Sequence, residues 1–215
     1  MEIILSPSIL SADFANLGKV INEVETAGAD WIHIDVMDGV FVPNMSFAFP
    51  IIEAIRRSTS MFLDVHLMIT EPEKYIDRFI ASGADMVTFH AEATKDISAC
   101  ITAIKSKGVK AGIAIKPNTS YEVVLPYISS IDMVLCMTVE PGYGGQRYIM
   151  AMNEKIRALR NAVGEDFLIE TDGGIDTKTI KEPITSGANV LVAGSAVFGG
   201  DITQNIKELK KCARS

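Results

Sequence analysis

The feature that most constrains this chain is a repeat. Short apolar runs rich in β-branched residues return along its whole length, at 3–10, 31–37, 61–69, 86–90, 110–115, 133–139, 167–171 and 190–197. Between them lie segments with helical spacing, such as Phe14, Leu17, Val20, Ile21 and Val24, or Tyr75, Ile76, Phe79 and Ile80, each long enough for a crossover helix. A glycine that ends a helix and precedes a strand recurs at Gly28, Gly83, Gly108 and Gly187. The gaps are close to two, one and three multiples of about 27 residues, an eighth of the chain, and such a period marks a repeat architecture. Three junctions read almost alike: Ala27-Gly28-Ala29-Asp30, Ser82-Gly83-Ala84-Asp85 and Ser186-Gly187-Ala188-Asn189. Each Gly supplies a left-handed helix stop. The reading is βα repeated eight times.

Eight right-handed βα units either close into a barrel or open into a doubly wound sheet. At 215 residues the chain sits near the lower size limit for a barrel, roughly 200, so the loops at its bottom must be short. An open sheet calls for a dinucleotide fingerprint after the first strand, and Ser6-Pro7-Ser8-Ile9-Leu10-Ser11 contains no glycine. The expectation is therefore an α/β fold, a compact single-domain (β/α)8 TIM barrel over 1–215. A hydrophobic content of 48% supplies the core it needs.

Charge narrows the partners. Twenty Lys and Arg face 27 Asp and Glu, a net charge of −7, the opposite of what a nucleic-acid or anionic-membrane binder requires. Cys100, Cys136 and Cys212 are odd in number and lack C-x-x-C spacing, so no disulfide framework or zinc ribbon is expected, which suits a cytoplasmic protein. An acid at Glu2 and an apolar run of three residues do not make a signal peptide, and nowhere do 18 uncharged apolar residues run together. Symmetric self-association into a homo-oligomer is the base-rate expectation.

In strands buried on both faces, charged groups are costly unless paired or bound to metal, so polar residues near strand ends are the informative ones. The second run ends His33-Ile34-Asp35-Val36-Met37-Asp38-Gly39, and its two-residue period puts His33, Asp35 and Met37 on one face. The third ends Asp64-Val65-His66-Leu67-Met68, and the seventh leads into Glu170-Thr171-Asp172-Gly173-Gly174. A single such histidine is more often a hydrogen-bonded core residue. Two imidazoles and two carboxylates at the end of the barrel that carries chemistry make a mixed N/O site for one divalent transition metal, with zinc, iron, manganese and cobalt all admissible. The candidate ligands are His33, Asp35, His66 and Asp172. Asp64 and Glu170 lie one layer deeper and are expected to support them, Asp38 is as much a turn former as a participant, and His90 stays outside the set.

Glycine gives a second signal. Pro141-Gly142-Tyr143-Gly144-Gly145-Gln146, Gly173-Gly174 and Gly194-Ser195-Ala196 follow the sixth, seventh and eighth strands. Any one of these is ordinarily a plain turn. Together they offer backbone N–H groups and the Ser195 hydroxyl to an anion, at the usual phosphate site of this fold, so the expected partner is a small phosphorylated substrate. Met37, Met68 and Met137 fall near strand ends, where core packing is the commoner role and a soft wall beside a metal the sharper one.

The sequence resembles the ribulose-phosphate 3-epimerase family over nearly its full length. Ser6-Pro7-Ser8-Ile9-Leu10, the block from His33 to Gly39 with Phe41-Val42-Pro43-Asn44, Asp64-Val65-His66-Leu67-Met68, the block from Met137 to Gln146, Asp172-Gly173-Gly174 and Gly194-Ser195-Ala196 carry the likeness. The resemblance implies a TIM barrel that interconverts D-ribulose 5-phosphate and D-xylulose 5-phosphate by inverting carbon 3. It implies that His33, Asp35, His66 and Asp172 bind the metal and that Asp35 and Asp172 are the acid/base pair. Ser8, His66 and Asp172 would touch the sugar, while Gly142, Tyr143, Gly144, Gly145, Gly173, Gly174, Gly194 and Ser195 would hold the phosphate end, with Met37, Met68 and Met137 lining the metal. The chain departs from the family pattern at Ala48, usually Gly, and at Tyr143, often Phe. A hexulose 6-phosphate substrate and a non-catalytic phosphosugar-binding barrel stand as alternatives. A lyase reading is disfavoured, because the Asp-x-Lys-x-x-Asp run of the related decarboxylases is absent.

Overall fold

A computed structural model describes residues 2–214. Its eight parallel strands are β1 (Ile4–Pro7), β2 (Trp31–Met37), β3 (Phe62–Met68), β4 (Met86–His90), β5 (Lys110–Ile115), β6 (Met133–Met137), β7 (Leu168–Asp172) and β8 (Val190–Ala193). Each pairs with its sequence neighbour from β2 to β8, and β8 pairs with β1. A bridge between Ser8 and His33 joins the two ends of the sheet and closes the barrel.

Period-two alternation sorts the strand residues into two environments. Ile32, Ile34 and Val36 of β2, Leu63, Val65 and Leu67 of β3, and Ile113 and Ile115 of β5 face outward into one continuous core with the helices. The helices are α1 (Leu17–Thr26), α2 (Phe49–Ser58), α3 (Ile76–Ala81), α4 (Ile97–Lys105), α5 (Met152–Val163), α6 (Lys181–Ser186), α7 (Ser195–Phe198) and α8 (Ile202–Arg214). The barrel's interior is stacked differently. Its bottom is apolar, with Met86, Met133 and Val190 packed against Ile4, Trp31, Phe62 and Leu168. Above this plug the interior turns polar: His33, Asp64, His66, Thr88 and Glu170 are all fully buried.

Three expectations need correction. The first strand ends at Pro7 rather than continuing to 10, because Ser8 turns the chain into a short 3₁₀ segment, Ile9–Ser11. The eighth ends at Ala193, and 195–198 is helix. Both apolar runs overshot for one reason: Ile9 and Val197 are buried by the turn and helix that follow the strands, so hydrophobicity continues after extended backbone stops. The crossover from β5 to β6 carries no α-helix, only two 3₁₀ turns at Tyr121–Val123 and Leu125–Tyr127. Pro126 has no N–H to give a helix and clashes with the preceding turn.

The repeated Gly-Ala-Asp junction has a purpose beyond stopping helices. Asp30, Asp85 and Asn189 each accept a hydrogen bond from a backbone N–H of the preceding strand: Leu5 at 2.9 Å, Leu63 at 2.8 Å and Ile169 at 2.7 Å. Asp132 does the same for Ala111 at 2.8 Å without the glycine. The three carboxylates, Asp30, Asp85 and Asp132, are also paired with a cation from a helix, Lys210, Arg56 and Lys105 respectively. Strand bottoms are thus tied to each other and to the helical layer by one residue per junction. Replacing Asp85 with Ala leaves a strand N–H and Nη1 of Arg56 without their acceptor, so a loss of about 1–3 kcal/mol is expected in denaturant unfolding.

Candidate metal centre and active site

At the C-terminal end of the barrel, β2, β3 and β7 bring four side chains to one point. One ligand atom from each of His33, Asp35, His66 and Asp172 lies within 4.8 Å of every other. His33 Nε2 is 3.3 Å from Asp35 Oδ1, His66 Nδ1 is 3.2 Å from the same oxygen, and His66 Nδ1 is 3.9 Å from Asp172 Oδ2. The two aspartates come from strands that are not neighbours, so they approach the centre from different sides of the barrel wall.

The surroundings fix how each group is presented. His33 Nδ1 donates to Asp64 Oδ2 at 2.7 Å, which turns Nε2 toward the other ligands. That nitrogen is fully buried and has no hydrogen-bond partner, an arrangement that is costly for a polar atom unless a cation meets it. The Ser8 hydroxyl donates to Asp35 Oδ2 at 2.5 Å, so one carboxylate oxygen is held and the other is turned to the histidines. Two imidazole nitrogens and two carboxylates suit a divalent transition ion in number and kind.

Electrostatics separate the two aspartates. Burial acts to raise Asp35, but the adjacent imidazoles of His33 and His66 outweigh it and hold this carboxyl well below the usual range. Asp172 is pushed up to about 6, first by burial and then by the negative charge of Asp35. Two carboxylates with unequal proton affinity are what an acid/base pair requires. One layer below, Glu170 is raised well above its ordinary value by burial and by Asp64, and neither of its oxygens has a hydrogen-bond partner. Burial lowers His33 while Asp35, Glu170 and Asp64 raise it, and the carboxylates prevail. Asp64 and Glu170 therefore stand where the sequence put them, directly beneath His33, with Glu170 Oε1 3.4 Å from His33 Nδ1.

The centre forms the floor of a cavity of about 460 Å³. Ser8, Asp35, Met37, Met68, Met137 and Asp172 line it below. Gly142, Tyr143, Gly144, Gly145, Gly173, Gly174, Gly194 and Ser195 line it on one side. His33 and His66 lie beneath, fully buried. Every candidate residue thus lies in the wall of one cavity or directly beneath it. The glycines differ in what holds them. Gly174 has φ +69° and a Cβ there would sit 2.2 Å from the Tyr148 backbone nitrogen, so close approach of two chains excludes any side chain. Gly144 has room for one, with Ser11 Oγ 3.7 Å away, and is not explained by packing. Tyr143 Oη donates to the Pro43 carbonyl at 2.6 Å and Asn44 Nδ2 to the Gly142 carbonyl at 2.8 Å. Those bonds tie the loop after β6 to the loop after β2 across the cavity mouth.

Asp38 is settled as a turn former. Its carboxylate accepts from the N–H groups of Val40, Phe41 and Thr70, each at 2.8 Å. What sequence reasoning missed is Ser11, Val139 and Thr179 in the cavity wall, residues of ordinary type in loops with no pattern to mark them. It also left His90 without a role, whereas its Nε2 lies 2.9 Å from His66 Nε2.

Comparison with known proteins follows the same line. The sequence model of the Ribulose-phosphate 3 epimerase family matches residues 4–198. Ribulose-phosphate 3-epimerase of Bacillus subtilis is 48% identical over 211 residues, covering 96% of this chain and 97% of that one. The chloroplastic ribulose-5-phosphate-3-epimerase of Arabidopsis thaliana is 46% identical, covering 99% of this chain and 78% of its own length. Among solved structures, 3-keto-L-gulonate-6-phosphate decarboxylase from Vibrio cholerae aligns over 100% of this chain and 98% of its own with a TM-score of 0.76 at 16% identity. Orotidine 5'-phosphate decarboxylase from Pyrococcus horikoshii aligns over 99% and 100% with 0.71 at 13%. The likeness to these two is one of barrel fold.

Proposed function

The chain belongs to the ribulose-phosphate 3-epimerase family, an isomerase acting on carbohydrates, and from that premise we propose that it inverts carbon 3 of D-ribulose 5-phosphate to give D-xylulose 5-phosphate, with Asp35 and Asp172 as the two proton-transferring groups. The observation that carries this reading is the meeting of those two carboxylates on the cavity floor, drawn from strands that are not neighbours, one held ionised and one with its pKa pushed up to about 6.

Inversion next to a carbonyl requires a proton to leave one face of the carbon and another to arrive on the opposite face. Asp35, ionised and fixed by Ser8, takes the proton when the sugar enters as one epimer, while protonated Asp172 delivers from the other side. In the reverse direction the roles exchange. Removal of the proton leaves an enediolate. His33, Asp35, His66 and Asp172 would hold a divalent transition ion, zinc, iron, manganese or cobalt, which when bound supplies Lewis-acid stabilisation of that negative charge. Met37, Met68 and Met137, which line the cavity, would set a soft, apolar wall beside it. At the far end of the cavity, backbone N–H groups of Gly142 to Gly145, Gly173, Gly174 and Gly194, together with the Ser195 hydroxyl, would receive the phosphate, since a chain of net charge −7 must capture an anion locally.

Run in deuterated water, the reaction is expected to place one deuterium at carbon 3 of the product, read by proton NMR. Turnover without solvent deuterium would remove the enediolate route. The same assay with a hexulose 6-phosphate decides chain length, and the pentulose is expected to be converted with the higher kcat/KM. None of the described residues forms a helix long and apolar enough to cross a membrane.

A further inference from the structure

The proton-transfer scheme leaves one fully buried histidine unused. His90, at the end of β4, has its Nε2 2.9 Å from His66 Nε2 and its Nδ1 3.2 Å from Glu92 Oε2. The other Glu92 oxygen is taken up, since Oε1 accepts from the Lys116 N–H at 2.8 Å and from the Thr119 hydroxyl. Phe41 packs over His90, ring centroids 4.9 Å apart. The result is an unbroken line of side chains from the candidate metal centre out to the loop after β5.

We propose that His90 and Glu92 are positioning residues that fix the tautomer of His66, so that its Nδ1 lone pair faces the cation. A carboxylate only accepts, so the His90 nitrogen facing Glu92 must carry the hydrogen. A neutral imidazole has one N–H, and His90 Nε2 is then an acceptor. Two bare ring nitrogens 2.9 Å apart would repel, so His66 Nε2 must carry its own hydrogen and donate it. That leaves His66 Nδ1 bare, 3.2 Å from Asp35 Oδ1, a lone pair set against a carboxylate. The contact is repulsive with nothing between and favourable with a cation there. In the opposite tautomer chain, His66 Nδ1 would carry hydrogen and be closed to metal, and His90 Nδ1 would set its lone pair against Glu92. The Lys116 and Thr119 bonds to Oε1 matter because they hold the Glu92 carboxylate with Oε2 toward His90. His33 receives the same service from Asp64 by a single bond, while His66 receives it through two links. The side chain that orients a ligating histidine commonly governs metal affinity by about 10–100-fold.

This inference rests on the metal reading above, and the two are separable by experiment. In zinc-loaded protein with 15N-labelled histidine, long-range 1H–15N correlation reports which ring nitrogen is protonated. The expected pattern is hydrogen on Nε2 of His66 and on Nδ1 of His90. Bound zinc with His66 protonated at Nδ1 would overturn the inference alone, whereas a protein that takes up no divalent cation removes the metal reading and this inference with it. In variants, Glu92→Leu and His90→Phe are expected to weaken zinc binding by about 10–100-fold, and Glu92→Gln, which keeps an acceptor oxygen, by no more than a few-fold. Unchanged zinc affinity in a stably folded Glu92→Leu protein would also overturn it. The wild-type spectrum decides the question even if a variant fails to fold.

Discussion

Asp172→Asn is expected to abolish epimerisation to within about one part in 10²–10⁴ of the native rate, the span that a positioned acid or base contributes, and to leave one half of the chemistry running. With Asp172 unable to ionise, Asp35 still faces the sugar, held by Ser8 at 2.5 Å. The variant should therefore exchange the carbon 3 hydrogen of one epimer with solvent without producing the other. Asp35→Asn should give the mirror result, exchanging only the second epimer. Solvent exchange followed separately from each pure epimer checks this, with metal content measured on the same samples because both residues are candidate ligands. The amide keeps an oxygen of similar reach, so loss of charge rather than loss of shape is what the substitution tests. Near-normal epimerisation in either variant would break the two-base assignment, and exchange of both epimers in one variant would place a third base in the cavity.

The parts of this site that could be read from the sequence share a property: each is polar where its neighbours along the strand are not. His33, Asp35, His66 and Asp172 interrupt apolar runs at a period of two, and the period alone places them on the inner face. The layer beneath was legible in the same way, since Asp64 and Glu170 precede His66 and Asp172 by two. What could not be read depends on contacts between strands. His90 follows Phe89 at the end of an apolar run much as His66 follows Val65, but its partner is set by strand register, which pairs His66 with Thr88 and carries the ring of His90 alongside. The junction aspartates were visible as a motif and opaque as a function. Leu63, whose N–H Asp85 receives, lies 22 residues away on another strand. The missing helix between β5 and β6 was the converse case, a βα period strong enough to hide Pro126 within it.

Stripping the metal centre is expected to change how stability depends on pH, and the direction follows from which groups the fold holds away from their ordinary values. Between about pH 4 and 6.5 two buried acids, Asp172 and Glu170, oppose one buried histidine, His90. Asp172, raised to about 6, binds a proton in the folded chain that the unfolded chain has released, so its contribution falls as pH rises through that window. His90 is lowered to about 4, chiefly by burial, so its contribution is present above the unfolded histidine value and is lost as pH falls. The Asp172 and His90 shifts are of similar size and opposite sign, but Glu170, raised well above its ordinary value, is protonated there in the folded chain and ionised in the unfolded one, so metal-free protein should lose stability as pH rises through the window. Above pH 6.5 Asp172 and His90 have finished titrating, and the groups that remain, His33 and Glu170, are each raised. Each is protonated when folded and less so when unfolded, so the stability of chelator-treated protein should decline as pH rises from 6.5. Metal-loaded protein should behave oppositely. A cation competes with protons for its ligand atoms, so its binding, and the stability it adds through linkage, increase with pH. Urea unfolding of chelated and zinc-loaded protein at pH 6.5 and 8.5 measures both slopes. Parallel curves for the two forms would mean that the cluster of His33, Asp35, His66 and Asp172 does not exchange protons for a metal ion.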